Sequence, residues 1–464
     1  MTDSPQEGLP ATPQLTRLSG WGANLRADCA YAEPETASEI AAQLDRHGTI
    51  ARGLGRSYGD PALNANMQVI GTRKLDRYLD FDEATGVLKC EAGVSLERMI
   101  QDFLPRGWLP AITPGTRFVT VGGCIASDVH GKAHHSQGSF SACVDAMTVL
   151  LASGEVVNAS REQNADLFWA TFGGMGLLGV VLTATLRLRK VETAYFRQRS
   201  IRVRDLDELL AVLAEQDQHF PYSLATLDVL AHGAKLGRAV VTVGDHARQA
   251  ELPPKLAREP LRVAPPPLLR MPFEAPVFNA LTLPVLNGFI MHKLARKPPY
   301  DHYADFFYPL DIAHHWNRAY GRKGFTQYQF VIPFEDGARA MRMILDAIFS
   351  SGELPFLNVL KRLGRESGGI LSFPREGYTF AIDFPIRATT EALVRRLDAM
   401  VLEAGGRIYL GKDSYVDAAT FRAMYPAVEN WLAIKAKYDP DGVFTSNLGR
   451  RVGLCPAAVP RHTD

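Results

Sequence analysis

The stretch Thr49 to Arg52 reads as a short strand and runs directly into Gly53-Leu54-Gly55-Arg56-Ser57-Tyr58-Gly59-Asp60. The glycines at 53, 55 and 59 tolerate positive φ and close backbone approach, and successive N–H groups in such a loop can converge on a pyrophosphate. The spacing is GxGxxxG, one residue longer than the dinucleotide fingerprint. Asp76 and Asp80 stand about 20 positions further on, so the acidic-residue criterion leaves nicotinamide binding open. Asp60-Pro61 and Asn64-Ala65-Asn66 follow where that fingerprint requires a helix, which counts against it. No GxxxxGK[ST] occurs, so this is not a Walker A loop. Alone, the segment reads either as a phosphate cradle or as a tight turn.

Two further small-residue loops follow. Pro114-Gly115-Thr116-Arg117 leads into Thr120-Val121-Gly122-Gly123-Cys124-Ile125-Ala126, and Phe172-Gly173-Gly174-Met175-Gly176 continues to Gly179. All three loops flank strand-like segments before residue 180. They suggest backbone packed around one large planar ligand, against the alternative of three unrelated turns. Around them the chain reads as small α/β units. Thr36 to Glu39 is a capping box with Ile40, Ala41 and Leu44 on the helical face behind it and Gly48 as a stop. A hairpin joins Tyr78–Phe81 to Val87–Cys90, and Ser95 can cap a helix carrying Leu96, Met99, Ile100 and Phe103. Leu182, Ala184, Leu186 and Leu188 alternate with Thr183, Thr185, Arg187 and Arg189, the pattern of a half-buried strand.

From about Val191 the texture changes. Strands at 197–203, 237–243 and 327–333 alternate with amphipathic helices at 206–216, 337–349 and 390–403, which predicts a second α+β unit. Ala264-Pro265-Pro266-Pro267 is loop. The stretch 275–291, followed by the basic run His292-Lys293-Leu294-Ala295-Arg296-Lys297, admits two readings. With two prolines and two asparagines it reads as a buried or mobile loop; beside a basic anchor it also reads as a surface that dips into lipid.

The formal net charge of +1 supplies no bulk field for nucleic acid. The five cysteines are scattered without a CxxC pair, which suits a reducing compartment better than a disulfide framework or a zinc site. The N-terminus is polar, with no apolar core of a signal peptide, and no apolar run reaches transmembrane length. A cytoplasmic protein, with peripheral association at an inner membrane, is the expectation. His130 and His134 have i, i+4 spacing, but Gly131 makes a helix doubtful there and no carboxylate completes an HExxH pattern, so no metal is expected.

The motifs together resemble the vanillyl-alcohol oxidase / p-cresol methylhydroxylase flavoprotein superfamily. The matching pieces are Gly53 to Tyr58, Pro114 to Gly123, Asp166 to Ala170 with Gly173 to Gly176, and Tyr438-Asp439-Pro440 with Phe444. Within it the chain is similar, from Gly20-Trp21-Gly22 to about Leu454, to the oxidase components of decaprenylphosphoryl-ribose 2'-epimerases. The specific segments are Ile125 to Phe140, Trp316 to Gly321, Gln327 to Pro333 and Tyr409 to Ser414. The resemblance implies an α+β chain with a two-part FAD-binding domain of the p-cresol methylhydroxylase type. Residues 1–194 form its first part, 195–408 a substrate domain with an antiparallel sheet, and 409–464 a segment returning to the FAD domain.

The resemblance also assigns roles. Ala51, Arg52, Gly53, Leu54, Gly55, Arg56, Ser57, Tyr58, Gly59, Asp60 and Pro61 would hold the FAD pyrophosphate. Gly115, Thr120, Val121, Gly122, Gly123, Ser127, Asp128, Val129, His130, Val181 and Tyr409 would line the rest of the cofactor. His130 lies beside the flavin, and His134 and His135 are structural. Lys412 holds the substrate hydroxyl; in a partly desolvated pocket its pKa falls, so it can donate a hydrogen bond or accept a proton. Gln327 and Gln329 alternate on one strand and suit a sugar hydroxyl and a phosphate oxygen, or else form the solvent face of an edge strand. Lys132 and Lys361 pair with a phosphate. Phe307 and Thr226 stand where a tyrosine and a tryptophan are expected at the substrate mouth, and Ala381 and Thr379 replace a cysteine and an asparagine facing the flavin.

The implied reaction is FAD-dependent oxidation of the 2'-hydroxyl of a polyprenyl-phosphoryl pentose to the 2'-keto sugar. A separate nicotinamide-dependent short-chain reductase completes an epimerisation, and quinone or oxygen takes the electrons. The alternatives are a sugar-lactone or alditol oxidase acting on a soluble polyol, and a binding module without activity. Tyr58 stands near the position where many relatives carry a flavin-linked histidine, so the FAD is expected to be non-covalent.

Overall fold

Four sheets organise the described residues. The computed structural model describes residues 15–46, 48–267 and 269–456. Most of the polar N-terminal stretch, residues 1–14, and the tail 457–464 lie outside the described residues. Thr36 Oγ1 caps the helix Ala37–Ala42 by accepting from Glu39 N at 3.2 Å, while the Glu39 carboxylate takes the N–H of Glu35 at 2.9 Å instead of that of the cap. The helix stops at Gln43, so Leu44 falls beyond it, and Gly48 N donates back to Asp45 O at 3.0 Å.

The strand Thr49–Arg52 forms as expected and pairs in parallel with Gln68–Gly71, inside a four-stranded sheet completed by Arg26–Ala32 and Leu15–Ser19. The hairpin Tyr78–Asp82 and Val87–Glu91 opens a six-stranded antiparallel sheet. Strand Val180–Lys190 is the spine of that sheet, bonded to Val87–Glu91 on one side and Val144–Leu150 on the other. Leu182, Ala184, Leu186 and Leu188 are buried and Arg187 is exposed, so the period of two is used as read. Ser95 Oγ accepts from Arg98 N at 3.1 Å and starts the helix Leu96–Phe103, which buries Leu96, Met99, Ile100 and Phe103.

An eight-stranded antiparallel sheet follows. In spatial order its strands are 300–302, 195–203, 239–246, 222–227, 358–363, 377–385, 325–332 and 407–408. Helices Leu206–Gln216, Gly337–Phe349 and Thr390–Glu403 pack on this sheet. The phenol of Tyr328 faces Asp398 of the last of these helices. The pleat therefore turns Gln327 and Gln329, on either side of Tyr328, to the opposite face. The chain is thus an α+β mixture.

The last segment packs back on the first two sheets. Thr49 N donates to Val443 O at 2.8 Å and Thr445 N to Thr49 O at 3.0 Å. Trp431 Nε1 donates to Ala170 O at 2.8 Å. Buried Lys435 donates to Leu177 O, Phe444 O and the Asp439 carboxylate at 2.7, 2.9 and 2.7 Å. Asp439 also receives the N–H groups of Val443 and Phe444. The ion pair is buried with its hydrogen bonds made, the condition under which such a pair is tolerated.

The stretch expected to be loop at 275–291 is in part helical: Leu283–Leu294 forms a helix with Pro284 in its first turn, where a missing N–H costs nothing. Among the described residues no helix is long and apolar enough to cross a membrane. All five cysteines are free.

Candidate active site

The first glycine loop lies between two partners. A Cβ on Gly53 would collide with the Thr120 hydroxyl, and one on Gly59 with the carbonyl of Asp413. The loop is therefore pressed between the start of helix Val121–Ala126 and the turn that carries Lys412. The stretch 120–126 is a helix where a loop was expected. Thr120 caps it by accepting from Gly123 N at 3.2 Å, and its two glycines keep the first turn without side-chain bulk. Gly115 borders open space. The third loop is packing: Gly173 abuts the backbone of Leu371–Ser372, and Met175 N donates to Ala126 O at 3.0 Å.

Several side chains assigned to the cofactor are occupied by the protein. The Arg52 guanidinium donates to Ser19 O and Ala62 O. Asp60 is held by Arg451, which also grips Asp413. Buried Asp128 accepts from the hydroxyls of Ser139, Ser141, Ser367 and Ser372. Val181 is in the core. These four can meet a cofactor through backbone or contact alone. Arg56 instead stacks 3.8 Å above the Trp21 ring, with its Nε unsatisfied.

One face of the large sheet carries the chemistry. Registry places Gln327 opposite Asp383, Gln329 opposite Ala381, and Lys361 opposite Thr379. Strand Phe325–Ile332 lies between 377–385 and 407–408, so the edge-strand reading of its glutamines does not hold. Gln327 Nε2 donates to Asp383 Oδ1 at 2.6 Å, and Tyr320 OH to Asp383 Oδ2 at 3.0 Å. Gln329 Nε2 lies 2.9 Å from His130 Nε2 and 3.3 Å from Thr379 Oγ1. Both amide nitrogens thus have protein partners. With Nε2 accepting, the His130 ring proton falls on Nδ1, a buried atom with no protein partner. Burial, then the charges of Lys361, His134 and Lys412, holds His130 neutral, well below the usual histidine range. Tyr409 lies 5.3 Å from the His130 ring and donates to Ser127 O at 3.0 Å.

Lys412 sits in a turn closed on Tyr409 O, with its Nζ 3.7 Å from the centre of the Tyr58 ring. Burial lowers its pKa to about 7; Asp383 raises it and Lys361 lowers it. Burial likewise lifts Asp383, which is 0 % exposed, to about 7. Lys361 falls to about 8 through burial. Lys132 falls to about 7 through burial and then Lys297, against Asp301. Lys361 Nζ donates to Gly131 O at 3.4 Å and Lys132 Nζ to Phe306 O. Three lysines thus bear on one another with no carboxylate in ion-pair contact, an arrangement that attracts an anion.

His134 accepts from Gly364 N at 3.1 Å, and His135 Nε2 lies 3.0 Å from Phe220 O. Among the described residues no group of three or more metal-ligating side chains is placed to share an ion. Phe307 is buried among Phe196, Tyr222 and Phe306, and Thr226 is half-buried on its strand. Two open clefts, of about 620 and 380 Å³, lie elsewhere, and none of these site residues lines them.

Asp383 and Tyr320 did not emerge from the sequence as site residues. Asp383 shares strand parity with Thr379 and Ala381, and that parity was the available signal. Two observations fit a flavin nucleotide: a cradle whose glycines leave no room for side chains, and unsatisfied buried donors at Arg56, within the cradle itself, and at His130, within reach of the Lys412 charge.

Residues 30–160 match the FAD binding domain family, and residues 322–452 match the D-arabinono-1,4-lactone oxidase family. The chain is 42% identical over 450 residues to the decaprenylphosphoryl-beta-D-ribose oxidase of Mycolicibacterium smegmatis, covering 94% of this chain and 97% of that one. It is 37% identical to an uncharacterized protein of Streptomyces coelicolor, covering 78% of this chain and 100% of the other. It is 24% identical to the L-gulono-1,4-lactone dehydrogenase of Mycobacterium tuberculosis, covering 94% and 98%.

Proposed function

The chain belongs to the decaprenylphosphoryl-beta-D-ribose oxidase family of FAD-dependent oxidoreductases, in the vanillyl-alcohol oxidase / p-cresol methylhydroxylase superfamily, and we propose that it oxidises the 2'-hydroxyl of a polyprenyl-phosphoryl ribose to the 2'-keto sugar. The observation that carries this reading is the lysine arrangement on one sheet face. Lys412 stands beside the glycine cradle, where an alcohol can be polarised, and Lys361 and Lys132 follow, where a phosphate can be neutralised.

FAD, when bound, would supply the hydride acceptor, and the Gly53 to Asp60 cradle with the start of helix Val121–Ala126 would hold it. The chain's own residues do the rest. Lys412, poised near neutrality by burial, takes the hydroxyl proton as a free amine. Asp383, fixed by Tyr320 and Gln327, sets the charge state of that amine. Gln329 orients neutral His130 and leaves its buried Nδ1–H free to donate to a bound cofactor. Lys361 and Lys132 hold the phosphate and place the ribose.

The division into 1–194, 195–408 and 409–464, with a two-part FAD domain of the p-cresol methylhydroxylase type, belongs to the same reading. It is supported by the Thr49 to Val443 and Thr445 bonds and by the large sheet beginning at Tyr195. So do a nicotinamide-dependent reductase for the second half of an epimerisation, quinone or oxygen as electron acceptor, and peripheral contact with the membrane that holds the substrate.

The match of residues 322–452 to lactone oxidases keeps a second reading, a soluble lactone or polyol as substrate. Anaerobic mixing of the FAD-loaded protein with prenyl-phosphoryl ribose, free polyols and lactones, followed by flavin absorbance, separates the two. Bleaching by the lipid-linked ribose is expected. Bleaching by soluble polyol or lactone alone overturns the first reading in favour of the second.

A further inference from the structure

Helix Leu283–Leu294 is built inside out. Its inward positions include Asn287, buried and donating to Asp228 Oδ1 at 2.8 Å, and Leu283. Its outward face continues a stripe at i, i+4 and i+8: Leu281, Val285 and Phe289 are 87, 72 and 64 % exposed. An ordinary surface helix places these side chains the other way round. Leu269, Phe273 and Ile312 are also more than half exposed. The described residues hold twelve exposed large hydrophobic side chains, and seven of them fall between 269 and 312. Clustering of this kind marks an interaction surface, unlike apolar residues scattered singly.

The charge around the stripe has one sign. Between 269 and 300 the chain carries Arg270, Lys293, Arg296 and Lys297 against a single acid, Glu274. Glu274 is paired with Arg26 at 3.5 Å, and Lys297 with half-buried Asp301 at 2.6 Å. His292, Lys293 and Arg296 continue the outward face past Phe289, so the stripe ends in a basic lip.

The segment is also tied to the active-site wall. Pro276 bridges Tyr320, and Val277 N donates to Ala319 O at 2.8 Å. Phe278 lies 4.6 Å from the ring of Tyr320, the residue that holds Asp383. A few residues thus separate the exposed stripe from the catalytic lysine's partner.

We propose that helix 283–294, with the exposed apolar side chains of the segment that leads into it, docks on an anionic lipid bilayer, so that the mouth of the site opens onto the membrane that holds the substrate. Apolar side chains bounded by cations match the two layers such a surface offers, acyl chain and anionic headgroup. A second copy of the chain fits less well, because a two-fold contact would set the basic lip against itself. The link to substrate delivery rests on the lipid-linked reading above; the docking does not.

The test uses the full-length FAD-loaded protein and vesicles of phosphatidylcholine with or without phosphatidylglycerol. Co-sedimentation with the phosphatidylglycerol vesicles is expected, weakening as salt is raised. The double variant Val285→Ser, Phe289→Ser should bind roughly tenfold more weakly or worse. The variant Lys293→Glu, Arg296→Glu should lose the preference for the anionic vesicles. Turnover of a short-chain, water-soluble prenyl-phosphoryl ribose should be unchanged in both. Absence of vesicle binding, or equal binding by wild type and the serine variant, overturns the docking surface, as does a dimer that the serine variant dissolves. Vesicle binding without flavin reduction by any prenyl-phosphoryl ribose leaves the docking standing and removes the substrate reading instead.

Discussion

Taking a lysine out of water favours its neutral amine, and a carboxylate nearby opposes that. Lys412 experiences both, from its burial and from Asp383. The amine that accepts the hydroxyl proton grows as pH passes about 7, so flavin reduction by substrate should rise with pH through that region. Replacing Asp383 with Asn removes the charge that favours the ammonium, so the rising limb should move to lower pH. Pre-steady-state flavin bleaching across pH checks both, and an unmoved limb in Asp383→Asn would remove the role assigned to that carboxylate. The pH dependence of Lys412 labelling by a small amine reagent reads the same shift without turnover. Lys412→Ala should lose reduction by substrate, on the order of a hundredfold or more, while the protein stays yellow. The sequence pointed to Lys412 through a family likeness. It was silent on Asp383, because nothing in a chain says that a strand aspartate will be buried opposite a glutamine and beneath a tyrosine hydroxyl.

At the level of elements, local signals predicted the helices and strands well where they were self-contained. Thr36, Ser95 and Asp205 each start a helix by taking an N–H three residues on. Thr120 does the same in a segment the sequence presented as a loop, since two glycines and only six residues leave no hydrophobic period to read. Thr120→Ala should cost about 1 kcal/mol through the lost cap. Because that hydroxyl also fills the space beside Gly53, the variant should weaken FAD as well. Thermal unfolding with and without added FAD measures the two effects separately. Helix Leu283–Leu294 was hidden for the opposite reason. Pro284 and the asparagines look like breakers, yet Pro284 falls in the first turn, and Asn287 finds a buried partner in Asp228, 59 residues away.

Across the whole molecule, the returning C-terminal segment is fastened by Lys435 and Asp439 beneath Leu177 and Phe444. Removing one member of a buried, fully bonded pair costs about 3–5 kcal/mol. Asp439→Asn should therefore lower the unfolding temperature and loosen FAD, since Arg451 and the Lys412 turn belong to the same segment. Tyr58 offers no histidyl link, so acid or denaturant should free all the flavin, and flavin retained on the denatured chain, seen by its fluorescence, would refute this. The sequence by itself determined the glycine cradle, the spine strand and the long helices of the second unit, because those depend on local backbone freedom and on periods of 2 and 3.6 residues; the FAD domain it indicated only through the family likeness. Tertiary structure alone decided which cradle residues are free to meet a ligand, since Arg52, Asp60 and Asp128 are taken by partners distant in sequence. It alone also joined Asp383, Gln327 and Tyr320 beside Lys412, and turned an apolar helix face outward. Burial and cross-strand registry are properties of the folded chain, and no local pattern encodes them.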